Sequence, residues 1–238
     1  MIGYFDETFD EKSTTWVAGH VGDEQAWKNY VADWKLTLGN RKQLHISRLR
    51  RWNKPYTRTL LSRLAPIPSQ SGLHPFVGGV RTADIADLIA GTDLEHYSNG
   101  YVLSLIDVTS QAVLSVPDGE HLEVVFADRD QTRERARDAL FAMRVMGMFA
   151  NSMPQLLNSD GSTKLAKYGF MAASSTVLFD QADFLCYALL QRHRNRNANS
   201  ERAEWCRPIL EHSGVLGDGL LDRDAARNAF SEVLKKKP

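Results

Sequence analysis

Residues 121–127 read HLEVVFA, a run in which β-branched and aromatic residues lead into a charged stop at Asp128. Such a run is typical of a strand that is buried on both faces, as in sheets covered by helices. A helical pattern follows over residues 131–148, with Ala136, Leu140 and Met143 on one side. These two elements predict an α/β fold built around an interior strand.

Other boundary signals along the chain predict the remaining strands and helices. Residues 2–6 and 14–21 are β-rich runs separated by polar residues, which indicates a hairpin, and Asp23 can cap a helix that ends near Gly39. Further strands are predicted over residues 73–81 and 168–173, and further helices over residues 56–64 (stopped by Pro66 and Pro68), 83–89, 97–114, 179–191 and 222–234. An opening hairpin followed by βα units predicts a mixed sheet flanked by helices, which is the element order of the RNase H-like fold.

Composition limits the number of domains and the class of protein but does not indicate a function. A chain of 238 residues with 43% hydrophobic content can form one large domain. We expect a single domain over residues 1–238, with a core of about 1–196 and a helical extension of about 197–238, because candidate acids near both ends must meet in one core. The formal net charge of zero demands no polyanionic partner, and two cysteines imply no disulfide framework. The opening residues contain no leader pattern and no stretch is long enough to span a bilayer, so cytoplasmic residence without membrane contact is expected.

Acidic residues stand where strands of the predicted sheet end. Asp6 closes the first strand and Asp128 closes the interior strand, so neighbouring strands would bring both carboxylates to one sheet edge. Asp180 and Asp183 are three residues apart and share a helical face within the apolar run VLFDQADFLCYALL. An ionised Asp in such a run is unfavourable unless something compensates its charge.

A divalent cation would supply that compensation. Oxygen-only ligands suit Mg²⁺ or Mn²⁺, and two such ions about 4 Å apart can hold the attacking and leaving oxygens of a phosphoryl displacement. The sequence therefore predicts a metal site formed by Asp6, Asp128 and Asp183, with Asp180 as an additional ligand.

Each acid also has a structural interpretation. Asp180 is equally well explained as a helix N-cap. Asp183 can be a partly exposed acid bound to a nearby arginine and Asp128 a cap for the helix that follows it, but for both the site role is favoured. Glu7 should face away from Asp6 in a regular strand, so it is only a substitute ligand if the strand ends early.

His45 is a candidate general base or phosphate contact, although a lone His between Leu44 and Ile46 is more often structural. Basic residues surround it and could either position a phosphate backbone or form a solvated surface: Arg41, Lys42, Arg48, Arg50 and Arg51. A second basic run, RHRNR at residues 192–196, follows the acid-bearing helix, where the helix dipole alone favours cations.

Four segments together resemble one family. YFDET, HISRL, VVFADRDQ and QADFLCYALLQR are similar to motifs of the family called domain of unknown function 3800, common in bacteria and phages. The resemblance runs from the opening strand to about Arg194 and implies an RNase H-like fold. It also implies a site of Asp6, Asp128 and Asp183 with His45 nearby. Thr8 stands where the family usually has Ser, and Asp180 where it usually has Gln, which adds either a ligand or a cap.

These expectations favour a metal-dependent nuclease that hydrolyses phosphodiester bonds of DNA or RNA. Two alternatives remain open: a catalytically inactive nucleic-acid-binding or protein-interaction module on the same fold, and a small-molecule phosphohydrolase. The sequence has no glycine-rich phosphate loop, GxSxG, HExxH or paired CxxC motif, so other common chemistries have little support.

Overall fold

The computed structural model describes residues 1–10, 14–46, 49, 54–91, 95, 99–128, 132–145, 156–195, 201–215, 219–221 and 223–224. The strands are β1 Ile2–Phe9, β2 Thr14–Gly22, β3 His74–Arg81, β4 Leu122–Ala127, β5 Leu165–Met171 and β6 Leu220–Leu221. The α-helices are α1 Glu24–Leu38, α2 Pro55–Leu64, α3 Ile67–Gln70, α4 Thr82–Ile89, α5 Gly100–Ser115, α6 Arg133–Val145, α7 Asp180–Arg194 and α8 Glu201–Ser213.

All six strands belong to one mixed sheet in the order β5-β4-β1-β2-β3-β6. β1, β2 and β3 are joined as antiparallel neighbours, whereas β4 pairs parallel to β1 and β5 parallel to β4. The two-residue strand β6 pairs parallel to β3 at the other edge. The predicted opening hairpin, interior strand and mixed sheet are therefore confirmed.

Helices cover both faces of the sheet, and β1 shows how its side chains divide between them. Phe5 belongs to the hydrophobic cluster formed with α4, α5 and α6, whereas Tyr4 packs against the cluster formed with α1, α2, α7 and α8. Because successive side chains of a strand point to opposite faces, Asp6 lies on the same face as Tyr4. This places Asp6 beneath α7.

Helix α7 lies along β1 and runs in the same direction. Gln181 Nε2 donates to the carbonyl of Tyr4 at 3.1 Å, and Cys186 Sγ donates to the carbonyl of Asp6 at 3.2 Å. At the far end, His193 Nε2 lies 3.2 Å from Asp10 Oδ2. Six residues of strand and twelve of helix each span roughly 18–20 Å, so helix and strand stay level with each other along their whole contact.

Local signals explain the first helix. Asp23 caps α1 by accepting a hydrogen bond from the backbone N–H of Ala26 at 2.7 Å. The helix stops at Gly39, whose positive φ of 62° is available to glycine at little cost. Both ends were predicted from sequence and both are confirmed.

Other boundaries differ from the predictions. β1 was expected to end at Asp6 but continues to Phe9, because antiparallel pairing with β2 extends to Phe9 and Thr15. Pro68 does not prevent helix formation after α2, since it lies in the first turn of the short α3, where its missing N–H is not needed. β5 begins at Leu165, three residues earlier than predicted.

The C-terminal region is more than the expected helical extension. α8 packs against α7 and contributes Cys206, Ile209 and Leu210 to the hydrophobic core, and β6 adds a strand to the sheet. α8 lies within the helical extension predicted for about residues 197–238, although its bounds were not predicted, and β6 was not predicted. The helix predicted over residues 222–234 falls almost entirely outside the described residues.

Within the described ranges, every helix is too short or too polar to cross a lipid bilayer.

Gly78 offers a test of the contact between β3 and α5. A Cβ at this position would lie 2.7 Å from the backbone nitrogen of Val108 and closer still to the Ser104 carbonyl oxygen. We expect Gly78→Ala to lower the free energy of unfolding by about 1–3 kcal/mol, because backbone atoms of α5 would have to move. Denaturant unfolding measures the change.

Gly169→Ala in β5 is the matched control, because nothing lies within 4 Å of a Cβ built there. Its effect should stay within about 0.5 kcal/mol. Equal stabilities of the two variants would contradict the close approach of α5 to β3.

Candidate functional site

Asp6 occupies the position where β1 loses one of its two neighbours. Parallel pairing of β1 with β4 ends at Phe5 and Phe126, whereas pairing with β2 continues beyond Asp6. The side chain of Asp6 is therefore at an open edge of the sheet, on the face covered by α7. This position combines partial exposure with the low-dielectric surroundings of the core.

At this edge the charges of Glu7 and Asp183 both act on Asp6, and these three residues are called the carboxyl cluster. The backbone N–H of Glu7 donates to Asp6 Oδ1 at 2.8 Å, and the Glu7 side chain lies within hydrogen-bonding reach of the Asp6 carboxyl group. Burial raises the pKa of Asp6 well above its usual range, and the negative charges of Glu7 and Asp183 raise it further. The structure thus brings two predicted ligands, Asp6 and Asp183, together.

The position of Glu7 corrects the expectation from strand alternation. Glu7 was expected to point away from Asp6, yet its carboxyl group reaches the Asp6 side chain and its charge acts on the thiol of Cys186 beneath α7. The β1–β4 ladder has already ended at this point, so Glu7 is flanked by β2 but not by β4. The sequence signal that could have indicated a joint role for Glu7 is its position next to Asp6 at the predicted end of the first strand.

Asp180 begins α7 but does not cap it, so the N-cap interpretation is wrong. The N-cap is Phe179, and the Asp180 carboxylate instead accepts hydrogen bonds on Oδ2 from Trp34 Nε1 at 3.0 Å and from the backbone N–H of Leu44 at 2.9 Å. Burial raises the pKa of Asp180 to about 6 in spite of these donors, and the charge of Asp183 adds to the rise. Oδ1 is buried and accepts no hydrogen bond from the described residues.

Residues 43–46, called the anchored segment, bind to the N-terminal part of α7. Ile46 donates its backbone N–H to Asp183 Oδ2 at 3.0 Å, parallel to the bond from Leu44 to Asp180. Gln43 Nε2 donates to the carbonyl oxygens of Ala173 at 2.8 Å and Thr176 at 3.3 Å. No side-chain pattern in the sequence indicates the bonds to Asp180 and Asp183, because both are donated by backbone amides.

His45 lies between the two anchoring amides. The side chains of Leu44 and Ile46 are buried in the core, whereas His45 is partly exposed. Its backbone is therefore held beside the first turn of α7, near the carboxyl cluster. The catalytic role predicted for its imidazole stays a prediction.

Cys186 lies behind the carboxyl cluster as a buried, free thiol, as expected from its apolar helix. Burial raises the pKa of this thiol well above its usual range, and the charges of Asp6, Glu7 and Asp183 raise it further. Cys186 thus remains protonated, which suits its donation to the Asp6 carbonyl and excludes a thiolate nucleophile.

His20 and Gln181 form a second buried polar contact between β2 and α7. Gln181 Nε2 donates to the carbonyls of Tyr4 and Leu178, so its amide oxygen accepts from His20 Nδ1. Burial lowers the pKa of His20 to about 4, although the hydrogen bond to Gln181 opposes this shift. His20 is therefore a neutral structural residue that fixes the rotation of α7.

Asp128 follows β4, as predicted, but its side chain is engaged elsewhere. Arg133, the first residue of α6, donates through Nε to Asp128 Oδ1 at 2.6 Å and through a second nitrogen to Oδ2. Continued register would place Asp128 opposite Glu7, on the α6 side of the sheet with Phe126. The structure thus separates Asp128 from Asp6 by one step of strand alternation.

The predicted basic surroundings are only partly described. Arg41 stacks on Tyr56, with 5.2 Å between the guanidinium carbon and the ring centroid, and Arg192 donates to the Val215 carbonyl at 3.3 Å. Arg48, Arg50, Arg51 and Arg196 lie outside the described residues. Across the residues that are described, no three His, Cys, Asp or Glu side chains are spaced to hold a metal ion.

The chain was compared with protein-family models, with curated proteins and with solved structures, and none of the three comparisons gives a match. The resemblance to the domain of unknown function 3800 family therefore stays a prediction.

The His20 contact predicts a pH dependence of stability. The pKa of His20 is lowered from 6.5 to about 4, so the unfolded chain binds a proton in this window that the folded chain does not. This residue's contribution is present above pH 6.5 and falls by roughly 3 kcal/mol as the pH drops toward 4. The raised pKa values of Asp6, Asp107 and Asp180 act in the opposite direction.

The measurement is therefore the difference between wild type and His20→Gln in unfolding free energy across this pH range. The variant should lose less stability on acidification than wild type. His212→Gln, at an exposed position of α8, is the control substitution. Parallel pH profiles for wild type and His20→Gln would show that His20 is not held neutral.

The Asp128–Arg133 ion pair predicts that Arg133 competes with any cation for Asp128. If Asp128 is a metal ligand, Arg133→Gln should raise the affinity for Mn²⁺ by roughly tenfold, because the carboxylate loses its competing cation. Isothermal titration calorimetry measures this affinity, with Arg144→Gln at the exposed end of α6 as control. An unchanged or weaker affinity in Arg133→Gln would remove Asp128 from the metal site.

Proposed function

We propose that this chain is a metal-dependent nuclease with an RNase H-like fold, in which the carboxyl cluster binds Mg²⁺ or Mn²⁺ and acts on phosphodiester bonds of nucleic acids. The observation that carries the proposal is the convergence of Asp6, Glu7 and Asp183 at one open sheet edge. Burial raises the pKa of Asp6 well above its usual range, and the charges of Glu7 and Asp183 raise it further. Such crowding is unfavourable in a purely structural site.

The sheet order supports the fold part of the proposal. Three antiparallel strands, β3, β2 and β1, continue into β4 and β5, both parallel to β1, with helices on both faces. This arrangement agrees with the element order that favoured an RNase H-like fold. In such open α/β sheets, ligands bind beyond the carboxyl ends of the parallel strands, which is where the carboxyl cluster lies.

The donor set fits a hard divalent cation in its chemistry. Asp6 and Asp183 supply carboxylate oxygens from two different elements, and Glu7 adds a third beside Asp6. When bound, the ion would lower the pKa of a water molecule and neutralise charge on the phosphoryl group. The raised pKa of Asp6 means that it must lose a proton to become a ligand, so metal binding would strengthen as pH rises.

The remaining residues have supporting roles in this proposal. Cys186 holds the backbone of Asp6 against α7, and the anchored segment holds Asp183 through Ile46. His45 lies on that segment, and in this proposal its imidazole exchanges a proton with a group at the cluster. Arg133 restrains Asp128, which would join the ligands once the ion pair opens.

One observation favours an inactive nucleic-acid-binding module on the same fold. With Asp128 bound to Arg133, the acids on the α7 face lack their third predicted partner. Binding without cleavage is the expected behaviour of such a protein, and the experiment below distinguishes it from the nuclease.

The nuclease proposal predicts that Asp6→Asn and Asp183→Asn each abolish Mn²⁺-dependent cleavage of DNA or RNA. Each substitution removes a negative oxygen donor while keeping the size of the side chain. Labelled single-stranded and double-stranded substrates, with and without a chelator, provide the assay. Circular dichroism and the melting temperature establish that the variants are folded.

Asp33→Asn, on the exposed surface of α1, is the matched control and should cleave like wild type. Full cleavage by Asp6→Asn or Asp183→Asn would exclude that residue from the mechanism. Salt-sensitive binding of nucleic acid without cleavage would support the inactive module instead. Turnover of simple phosphate esters alone would support a small-molecule phosphohydrolase.

A further inference from the structure

The anchored segment and α7 match each other in spacing. Leu44 and Ile46 are two residues apart in an irregular stretch, a separation of roughly 6–7 Å when extended. Asp180 and Asp183 are three residues apart on one helical face, where side chains are about 5–6 Å apart. Each amide thus meets its own carboxylate, at 2.9 Å for Leu44 and 3.0 Å for Ile46.

The Asp180 carboxylate joins three elements at a single oxygen. Oδ2 accepts from Trp34 of α1 and from Leu44 of the anchored segment, while the residue itself belongs to α7. Trp34 is fully buried and Asp180 is 2% exposed. A carboxylate this enclosed fixes its partners rigidly, because its hydrogen bonds to charged oxygen are strong and cannot be exchanged for water.

We propose that Asp180 is a positioning residue that fastens the anchored segment to α7 and thereby orients Asp183, and that Asp180 is not itself a metal ligand. This inference rests on the proposed function for the metal at the carboxyl cluster. It replaces the role of additional ligand predicted from sequence. The anchoring itself does not depend on a metal.

The two oxygens of Asp180 argue against ligation. Oδ2 already accepts two N–H hydrogen bonds, and a cation bound to this oxygen would have to displace at least one of the donors. Oδ1 is enclosed by protein rather than facing the open sheet edge.

Orientation of Asp183 follows from the same contacts. Its Oδ2 accepts the Ile46 amide, and Asp180 accepts the amide of Leu44, two residues earlier on the same segment. Gln43 secures the start of the segment through the Ala173 and Thr176 carbonyls. Hydrogen bonds of this kind behind a metal ligand typically alter metal affinity by about 10–100-fold.

Asp180→Asn and Asp180→Ala separate positioning from ligation. Asparagine keeps an acceptor oxygen for Trp34 and Leu44, so Mn²⁺ affinity should stay within about fivefold of wild type. Alanine removes the acceptor, so the affinity should fall by roughly 10–100-fold. Hydrogen exchange at the Leu44 and Ile46 amides should accelerate in Asp180→Ala and change little in Asp180→Asn.

Gln43→Ala is the second variant, because it loosens the same segment from a partly exposed position and keeps the Asp180 carboxylate, although it also removes the Gln43 side chain that hydrogen-bonds to Asp180. It should accelerate exchange at Leu44 and weaken Mn²⁺ binding in the same direction as Asp180→Ala. Asp183→Asn provides the reference for loss of a true ligand. Exchange and Mn²⁺ affinity are both measured without substrate.

Two results would overturn the inference. Asp180→Asn could weaken Mn²⁺ binding as strongly as Asp183→Asn while both amides remain protected, which would make Asp180 a ligand. Alternatively, hydrogen exchange at the Leu44 amide could be unchanged in folded Asp180→Ala, which would show that Asp180 does not fasten the anchored segment to α7. If wild type binds no Mn²⁺, the proposed function fails, while the exchange measurements still decide whether Asp180 fastens the segment.

Discussion

The position of α7 along β1 is the constraint on which the site depends. Gln181, Cys186 and His193 contact β1 at Tyr4, Asp6 and Asp10, so the helix can neither slide nor rotate without breaking contacts at several levels. If α7 were displaced by one residue along β1, it would lie level with β1 side chains that point to the other face of the sheet. Asp183 therefore meets Asp6 because of contacts made elsewhere along the same helix.

The inner side of α7 is polar for a buried helix face, and each polar group must remain neutral or find a partner. His20 stays unprotonated, Cys186 stays a thiol, and Gln181 uses its amide to satisfy two backbone carbonyls and one imidazole. The carboxyl cluster also has partners, since Asp6 accepts a hydrogen bond from the Glu7 N–H and Asp183 accepts one from the Ile46 N–H. Its acids share one region of low dielectric, and protonation of Asp6 is the response available to the protein alone.

Local patterns carried most of the sheet. Three elements were predictable from residues close together in the sequence: the strand before Asp128, the opening hairpin and the capped α1. In each, the hydrophobic pattern or the capping residue lies within the element itself. The two-residue strand β6 was not, since its pairing depends on β3 and on no pattern of its own. In the site, Asp6 and Asp183 were found by their residue type, whereas the anchored segment escaped notice because backbone amides make its contacts.

Strand alternation places Asp128 and Asp6 on opposite faces of the sheet, where their carboxylates have neighbours of opposite charge. Its register follows Phe126, toward α6, where Arg133 neutralises its charge with two hydrogen bonds. Asp6, one step away in register, faces α7 and has acids as its neighbours. A guanidinium thus does for Asp128 what a divalent ion would do for the carboxyl cluster. The β1–β4 ladder ends just before Asp6, and on the other face the Arg133 guanidinium binds both carboxylate oxygens of Asp128.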